Sequence, residues 1–143
     1  MIHARSLRVA AAALLLMSVA AVASADLRTL KTVEFASPAV ARTMKYNILL
    51  PTNYETSTSR YPVLYLMHGL TQNYTVWGLQ NGTPFYAGLY DDLIVVMPDG
   101  GNSWYVNWAV NEGGQTNNWE DHIIKDVIGH VDWNYRTIAR REG

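Results

Sequence analysis

The sequence predicts an α/β fold in which helices cover both faces of a mainly parallel sheet. Two continuous apolar runs, within Tyr61–His68 and Leu93–Met97, have the composition of strands that are buried on both faces. Each run ends in a glycine-containing turn, and an amphipathic helix is predicted from about Trp119 to Asn134. The resulting order, β-β-β-α-β-α, is typical of parallel strands joined by helical crossovers.

The first 25 residues have the composition of a secretory signal peptide. Two arginines precede an uncharged run, Val9–Val22, and Ala23–Ala25 fits the small-x-small pattern of a cleavage site. This run is shorter than the roughly 20 apolar residues that a transmembrane helix needs. We therefore expect cleavage near Ala25, a secreted or periplasmic protein without a stable membrane anchor, and residues 26–143 as the N-terminal portion of a single domain.

The net charge and the absence of cysteine limit which partners and which chemistry the chain can have. Without the two arginines of the predicted signal peptide, the chain has nine Lys or Arg residues against twelve Asp or Glu, a net charge of −3. This balance argues against nucleic acid or an anionic membrane surface as a partner. Cysteine is absent, which excludes disulfides and thiolate chemistry, so the fold must depend on its apolar core. The oligomeric state stays open.

Two strands are predicted before the first apolar run. Leu30–Phe35 is the first, and Thr43–Leu50 is the second. In the second strand polar side chains, Lys45 and Asn47, alternate with an apolar face. This alternation predicts a half-solvated antiparallel edge strand. The face consists of Met44, Tyr46, Ile48 and Leu50.

The remaining elements follow from glycine, proline and helical periodicity. The segment 73–90 is interrupted by glycine and proline, so we expect a crossover built from short helical pieces. Asn117 or Asn118 can cap the helix that begins near Trp119. From Ile138 onward the chain is expected to lead to another strand. The helix is predicted to pack on the sheet through Ile123, Ile124, Val127, Ile128 and Val131.

The turn His68-Gly69-Leu70 is the first candidate for chemistry. Acyl transfer needs a backbone N–H aimed at a carbonyl oxygen that becomes negative, and Gly69 lets the chain turn sharply enough to present one. The alternative is an ordinary strand end in which His68 fills a polar gap.

The loop Asp99–Tyr105 is the second candidate, because ligands of α/β sheets usually bind where strands end. Gly100 and Gly101 permit close approach of a substrate to the backbone, with Ser103 beside them. Trp104, Tyr105 and Trp108 are candidates for the wall of an acyl or aryl pocket. The alternative is a surface loop that its aromatic residues stabilise by packing.

A self-contained catalytic centre is disfavoured. Ser103, His122 and Asp99 are conceivable as a triad, but the mature serines lack the Gly-x-Ser-x-Gly pattern, and His122 is predicted on the solvent side of its helix. The four-residue spacing of His122, Asp126 and His130 also resembles a metal-binding face. No glutamate lies between the histidines, so we expect solvated helix residues and neither a metal nor a cofactor.

Three motifs in order resemble the putative-esterase family of α/β-hydrolases. That family includes S-formylglutathione hydrolase (esterase D), feruloyl and acetyl-xylan esterases, and mycolyltransferases. The resemblance covers nearly all of Thr43–Gly143 and implies the N-terminal portion of a three-layer α/β-hydrolase fold, truncated before the nucleophile elbow. The three motifs are YPVLYLMHGLTQN, LIVVMPDGGNSWYVNW and WEDHIIKDVIGHVDWNYRTIARREG.

The resemblance assigns roles by position. It implies that the backbone N–H of Leu70 is one donor of the oxyanion hole and that Gly69 and the Gly100–Tyr105 loop face the substrate. In the family, Asn134–Thr137 precedes a strand and then the elbow that carries the nucleophile. The implied parent is a secreted serine esterase that acts on a small-molecule or carbohydrate-linked ester, and this chain by itself is expected to be inactive.

Two alternatives stay open for the function. The first is an acyltransferase of the same fold, in which a sugar hydroxyl replaces water as the acceptor. The second is a non-catalytic remnant that binds carbohydrate through Trp77, Trp104, Trp108 and Trp119.

Overall fold

The computed structural model describes Arg28 and residues 30–79, 91–111 and 115–140. The predicted signal peptide and the second half of the predicted crossover lie outside these residues. The described chain forms one four-stranded sheet with the spatial order β1-β2-β4-β3. Its strands are β1 (Leu30–Ser37), β2 (Arg42–Leu49), β3 (Val63–Tyr65) and β4 (Ile94–Pro98).

The expectation of a mainly parallel sheet is wrong for the described strands. β1 pairs with β2 and β2 pairs with β4 in antiparallel fashion, and only β3 and β4 are parallel. The N-terminal hairpin of β1 and β2 joins the sheet because β2 pairs with β4. The apolar composition of a strand does not predict which strand it pairs with. An isolated parallel bridge joins Tyr61, just before β3, to Thr137, and the strand expected from Ile138 onward is not seen among the described residues.

β2 lies inside the sheet, so its prediction as an edge strand is also wrong, although its predicted apolar face is buried. Its other face is covered too: Asn47 and Leu49 are both buried. The Asn47 amide is satisfied there, because it accepts from the Thr32 hydroxyl and donates to the Tyr74 carbonyl. Asn47, which the alternation of polar and apolar residues placed on the solvent side, is therefore buried with its amide hydrogen-bonded.

Helical segments cover both faces of the sheet. A 3₁₀ turn spans Pro38–Val40, and helix α1 spans Val76–Leu79. Helix α2, residues 119–134, consists of three contiguous segments: an α turn Trp119–Asp121, a π-helical stretch His122–Val127 and an α-helix Ile128–Asn134. Its beginning and end agree with the prediction.

Two apolar clusters separate the layers. The larger one packs α2 against β1, β2 and β4, with Ile123, Val127 and Val131 contributed by the helix. The smaller one, on the opposite face, joins Leu49, Val95 and Met97 to the partly buried Trp77 of α1. This arrangement gives the described part a helix–sheet–helix layering.

The buried face of α2 is rotated from the predicted stripe. Ile124 is 58% exposed, whereas His122, which was predicted to face solvent, is completely buried. Seven of the buried or half-buried positions form a regular i, i+3, i+4 series that includes three polar residues, and the half-buried positions 121, 128 and 132 lie beside it. A prediction based on hydrophobicity excluded the three polar residues of the series. The series is 119, 122, 123, 126, 127, 130 and 131.

The N-terminus of α2 is capped by a residue outside the helix. Asn118 occupies the N-cap position, but its side chain makes no capping hydrogen bond. The amide oxygen of Asn107 instead accepts the Asp121 N–H at 3.1 Å. The long aromatic loop after β4 thus supplies the cap, which fixes that loop to the helix. Within the ranges described, no helix is long and apolar enough to cross a membrane.

Candidate active site

One cleft collects six of the seven residues that the sequence singled out. It has a volume of about 130 Å³ and lies where the loops after β3 and β4 meet. Gly100, the seventh candidate, is buried beside the cleft and does not line it. The lining residues are His68, Gly69, Leu70, Gly101, Asn102, Ser103, Trp104 and Tyr105.

Leu70 presents an unpaired backbone donor at this cleft. The N–H groups on either side of it are occupied: Gly69 donates to the Gln72 side-chain oxygen at 2.9 Å, and Thr71 donates to Asn102 Oδ1 at 2.8 Å. For the Leu70 N–H, no acceptor lies among the residues that the structure describes. The two neighbouring amides are therefore used for bonds within and between the loops, whereas the Leu70 N–H has no partner in the described part of the chain.

The His68 side chain links the turn after β3 to the loop after β4 by hydrogen bonds. Its ring is buried, and Nε2 accepts the Gly100 N–H at 2.9 Å. Because Nε2 is the acceptor, Nδ1 carries the hydrogen and donates to the Gly69 carbonyl at 2.8 Å. One imidazole thus joins the two loops that form the cleft.

Tyr105 makes a second connection between the loops. Its hydroxyl donates to the His68 carbonyl at 2.8 Å and accepts the His68 N–H at 3.0 Å. Burial raises the pKa of the Tyr105 hydroxyl, so the group stays protonated and can make both bonds. The Tyr105 ring lies so close to Gly100 that a Cβ there would approach a ring carbon to 2.1 Å. Gly100 is needed for this packing, which differs from the substrate-facing role predicted for it.

Several residues at the cleft have left-handed backbone conformations. Thr71, Trp104 and Tyr105 have φ values of 64°, 58° and 57°, and Gly101 has a φ of 55°. Such conformations are unfavourable for residues with a Cβ, and they concentrate at ligand sites where surrounding contacts enforce them. Here the Asn102 side chain holds Thr71, and the Ser103 hydroxyl accepts the Tyr105 N–H at 3.1 Å.

Ser103 is a structural residue of this loop. Its side chain is buried, and its hydroxyl donates to the Gly100 carbonyl while accepting from Tyr105. The considered triad of Ser103, His122 and Asp99 does not form, because His122 contacts only the backbone oxygen of Asp99 and bonds to a different serine, Ser37.

A buried polar network on α2 supports the loop after β4 from beneath. His122 Nε2 donates to the Asp99 carbonyl at 2.9 Å, since a carbonyl can only accept. On the other side of the ring, the Ser37 hydroxyl lies 2.8 Å from Nδ1 and donates to Asp126 Oδ2 at 2.5 Å. Asp126 also accepts the Ala39 N–H. The expectation that His122 is a solvated helix residue is therefore wrong.

Burial lowers the pKa of His122. This effect outweighs the hydrogen bond to the Asp99 carbonyl and the nearby charges of Asp126 and Asp99, which raise the pKa, and the Arg42 charge lowers the pKa further.

His130, the third member of the considered metal face, is half-buried and pairs through Nδ1 with the Tyr46 hydroxyl at 2.9 Å. In the described ranges, no group of three or more His, Cys, Asp or Glu residues is arranged to hold a metal ion.

The four tryptophans of the carbohydrate-binding alternative do not share one surface. Trp77 packs in the smaller cluster on the far face of the sheet and donates its indole N–H to the Met67 carbonyl. Trp119 is buried in the larger cluster, while Trp104 and Trp108 are exposed. Only Trp104 lines the cleft at Leu70.

Sequence reasoning missed the residues that hold the site together. Asn102, His122 and Asn107 each bond to the backbone of another segment, a supporting role that the sequence motifs containing them did not indicate. For His122 a usable signal was present: it belongs to the i, i+3, i+4 series that includes the buried apolar residues of α2.

Comparisons with known proteins identify the family to which the chain belongs. The family model described as Putative esterase matches residues 37–142. Over 112 residues the chain is 36% identical to Esterase Rv1288 of Mycobacterium tuberculosis (strain ATCC 25618 / H37Rv). That match covers 76% of this chain and 24% of the relative, so the chain spans about a quarter of the length of the curated relatives it matches.

Solved structures share the fold at low sequence identity. A ferulic acid esterase superposes with a TM-score of 0.67 at 21% identity, over 80% of this chain and 47% of that one. The S-formylglutathione hydrolase FrmB of Staphylococcus aureus gives a TM-score of 0.61 at 23% identity, over 76% and 42% of the two chains. These neighbours confirm the α/β-hydrolase fold class.

Proposed function

Because the chain belongs to the Putative esterase family, we propose that its complete gene encodes a secreted serine esterase that cleaves carboxylic esters through an acyl-enzyme intermediate. The substrate class is a small-molecule or carbohydrate-linked ester. A related solved structure is a ferulic acid esterase in complex with ferulic acid, which supports this class. The predicted signal peptide, with its cleavage pattern at Ala23–Ala25, supports export.

The free N–H of Leu70 is the observation that carries the proposal. When a nucleophile adds to the ester carbonyl, the oxygen becomes negative, and a fixed donor in a cleft stabilises it without reorganising. Leu70 meets this requirement, since the bonds of Gly69, Thr71 and His68 fix the turn around it. A second donor, the nucleophilic serine, the base and the acid would come from outside these 143 residues, which contain no Gly-x-Ser-x-Gly sequence.

The test uses the protein expressed from the complete gene. It should hydrolyse 4-nitrophenyl acetate and react with a fluorophosphonate probe at one serine, and residues 26–143 expressed alone should do neither. Probe labelling of Ser103 in the short chain would contradict this division of roles. Failure of the complete protein to hydrolyse any of a panel of acetyl, feruloyl and thiol esters would refute the esterase proposal.

A further inference from the structure

A second cleft adjoins the one at Leu70 and shares Gly101 and Asn102 with it. It has a volume of about 380 Å³, and we refer to it as the Arg42 cleft. Among the described residues, Arg42 is its one charged lining residue and no acidic residue lines it. Its walls are otherwise aromatic or amide-bearing, namely Trp108, Gln115, Asn117 and Trp119.

The Arg42 guanidinium is held in place by neutral groups. One of its terminal nitrogens donates to Asn117 Oδ1 at 2.7 Å and to the Thr116 carbonyl at 3.3 Å. The guanidinium also lies 5.1 Å from the ring centroid of Trp119. Asn117 is itself buried, so the arginine is oriented by a rigid partner.

The hydrogen bonds that hold the Arg42 guanidinium use only some of its N–H donors. A guanidinium has five N–H donors, and only the bonds made by one terminal nitrogen are seen for Arg42 among the described residues. No carboxylate of the described chain lies within 4 Å of it. The half-buried charge is therefore fixed, and no carboxylate of the described residues neutralises it. In addition, the buried indole N–H of Trp119 has no acceptor in the described part of the chain.

We propose that the Arg42 cleft binds a carboxylate group carried by the substrate, at a distance from the ester carbonyl that the Leu70 N–H receives. A carboxylate matches the planar donor fork of arginine. The aromatic walls favour an unsaturated or aromatic group next to that carboxylate. The substrate part of this inference rests on the proposed function, whereas the anion-binding part does not.

The experiment is a binding titration of the complete protein with benzoate and with benzamide, its neutral analogue. Shifts of the indole N–H signals of Trp108 and Trp119 in NMR spectra report occupancy. A hydrogen bond to a charged group is worth enough to make benzoate bind about tenfold or more tightly than benzamide. Equal affinities for the two compounds would overturn the proposal without any variant.

Variants then locate the binding site. Arg42→Gln should reduce benzoate affinity to the level of benzamide, and Arg42→Lys should retain part of the preference because the charge remains. Lys31→Gln, which removes the same charge at the other end of the β1–β2 hairpin, should change neither affinity. Unchanged benzoate binding in folded Arg42→Gln protein would overturn the proposal, as would loss in Leu70→Pro but not in Arg42→Gln.

Measurements of benzoate binding and of ester hydrolysis on the same complete protein distinguish the anion site from the esterase activity. Hydrolysis of 4-nitrophenyl acetate without any preference for benzoate would refute the Arg42 site and leave the esterase intact. A benzoate preference that depends on Arg42, in a protein that hydrolyses no ester, would keep the anion site and refute the esterase.

Discussion

The two loops that form the cleft at Leu70 are held in different ways. The turn after β3 is exposed at Gly69 and Leu70, and the Leu70 N–H has no acceptor among the described residues. The loop after β4 bonds inward, with Gly100 N–H on His68, Gly101 N–H on Asp99 and Tyr105 N–H on Ser103. The loop after β4 is thus bonded to itself and to His68, and we propose that it keeps the Leu70 donor in position.

The largest effect should come from removing the presented donor. In the complete enzyme, Leu70→Pro deletes the N–H and should lower kcat by about two to three orders of magnitude. Leu70→Ala keeps the N–H and should retain most of the activity. Steady-state kinetics on variants with parental melting temperatures give the comparison. Equal kcat values for well-folded Leu70→Pro and wild type would show that this turn is an ordinary strand end.

Gly100→Ala tests the supporting loop and should act on stability. The new Cβ would lie 2.1 Å from a Tyr105 ring carbon, and overpacking of this kind typically costs about 1–3 kcal/mol. Gly129→Ala is the matched control, because a Cβ there meets nothing within 4 Å and alanine favours the helix. Chemical denaturation of both variants measures the difference. A Gly100→Ala protein as stable as the Gly129→Ala protein would contradict the packing described.

Tyr105→Phe tests the connection between the loops with less disturbance. It keeps the ring and removes the hydroxyl that pairs with both backbone groups of His68. We expect a loss of about 1–2 kcal/mol in the free energy of unfolding. In the complete enzyme kcat should fall while KM for a small ester changes little, since the oxyanion donor is displaced. A change confined to KM would assign Tyr105 to substrate contact instead.

The smallest effect concerns pH and the His122 network. The pKa of His122 is lowered in the folded state. As the pH falls, this ring therefore takes up a proton in the unfolded chain before it does so in the folded chain. This stability contribution is present above the unfolded pKa, near 6.5, and is lost as pH falls below it. Between pH 7 and pH 6 the loss is at most about 0.7 kcal/mol from this ring.

His122→Gln supplies the matched variant for the pH measurement, because an amide N–H can still donate to the Asp99 carbonyl. Its unfolding free energy should vary less with pH between 7 and 6 than that of the wild type. The half-buried His130, whose pKa desolvation also lowers, contributes with the same sign in both proteins. An identical pH dependence in variant and wild type would remove His122 as the titrating group.

The sequence by itself predicted the fold class, all four described strands, helix α2 and six residues that line one cleft. Local chemistry sufficed for these features. Buried strands need uninterrupted apolar runs, and sharp turns at their ends need glycine. The role of Leu70 as an oxyanion donor stays a prediction, now with the geometry of the turn in its support.

Only the tertiary structure decided how the strands pair and which polar groups are buried. The pairing of β2 with β4 joins residues about fifty positions apart, and a strand's own alternation cannot say which neighbour it will have. His122 and Asn47 were assigned to solvent because burying a polar group is costly without a partner. Their partners, Asp99 and Ser37 for His122 and Thr32 and Tyr74 for Asn47, come from distant segments that only folding brings within hydrogen-bond distance.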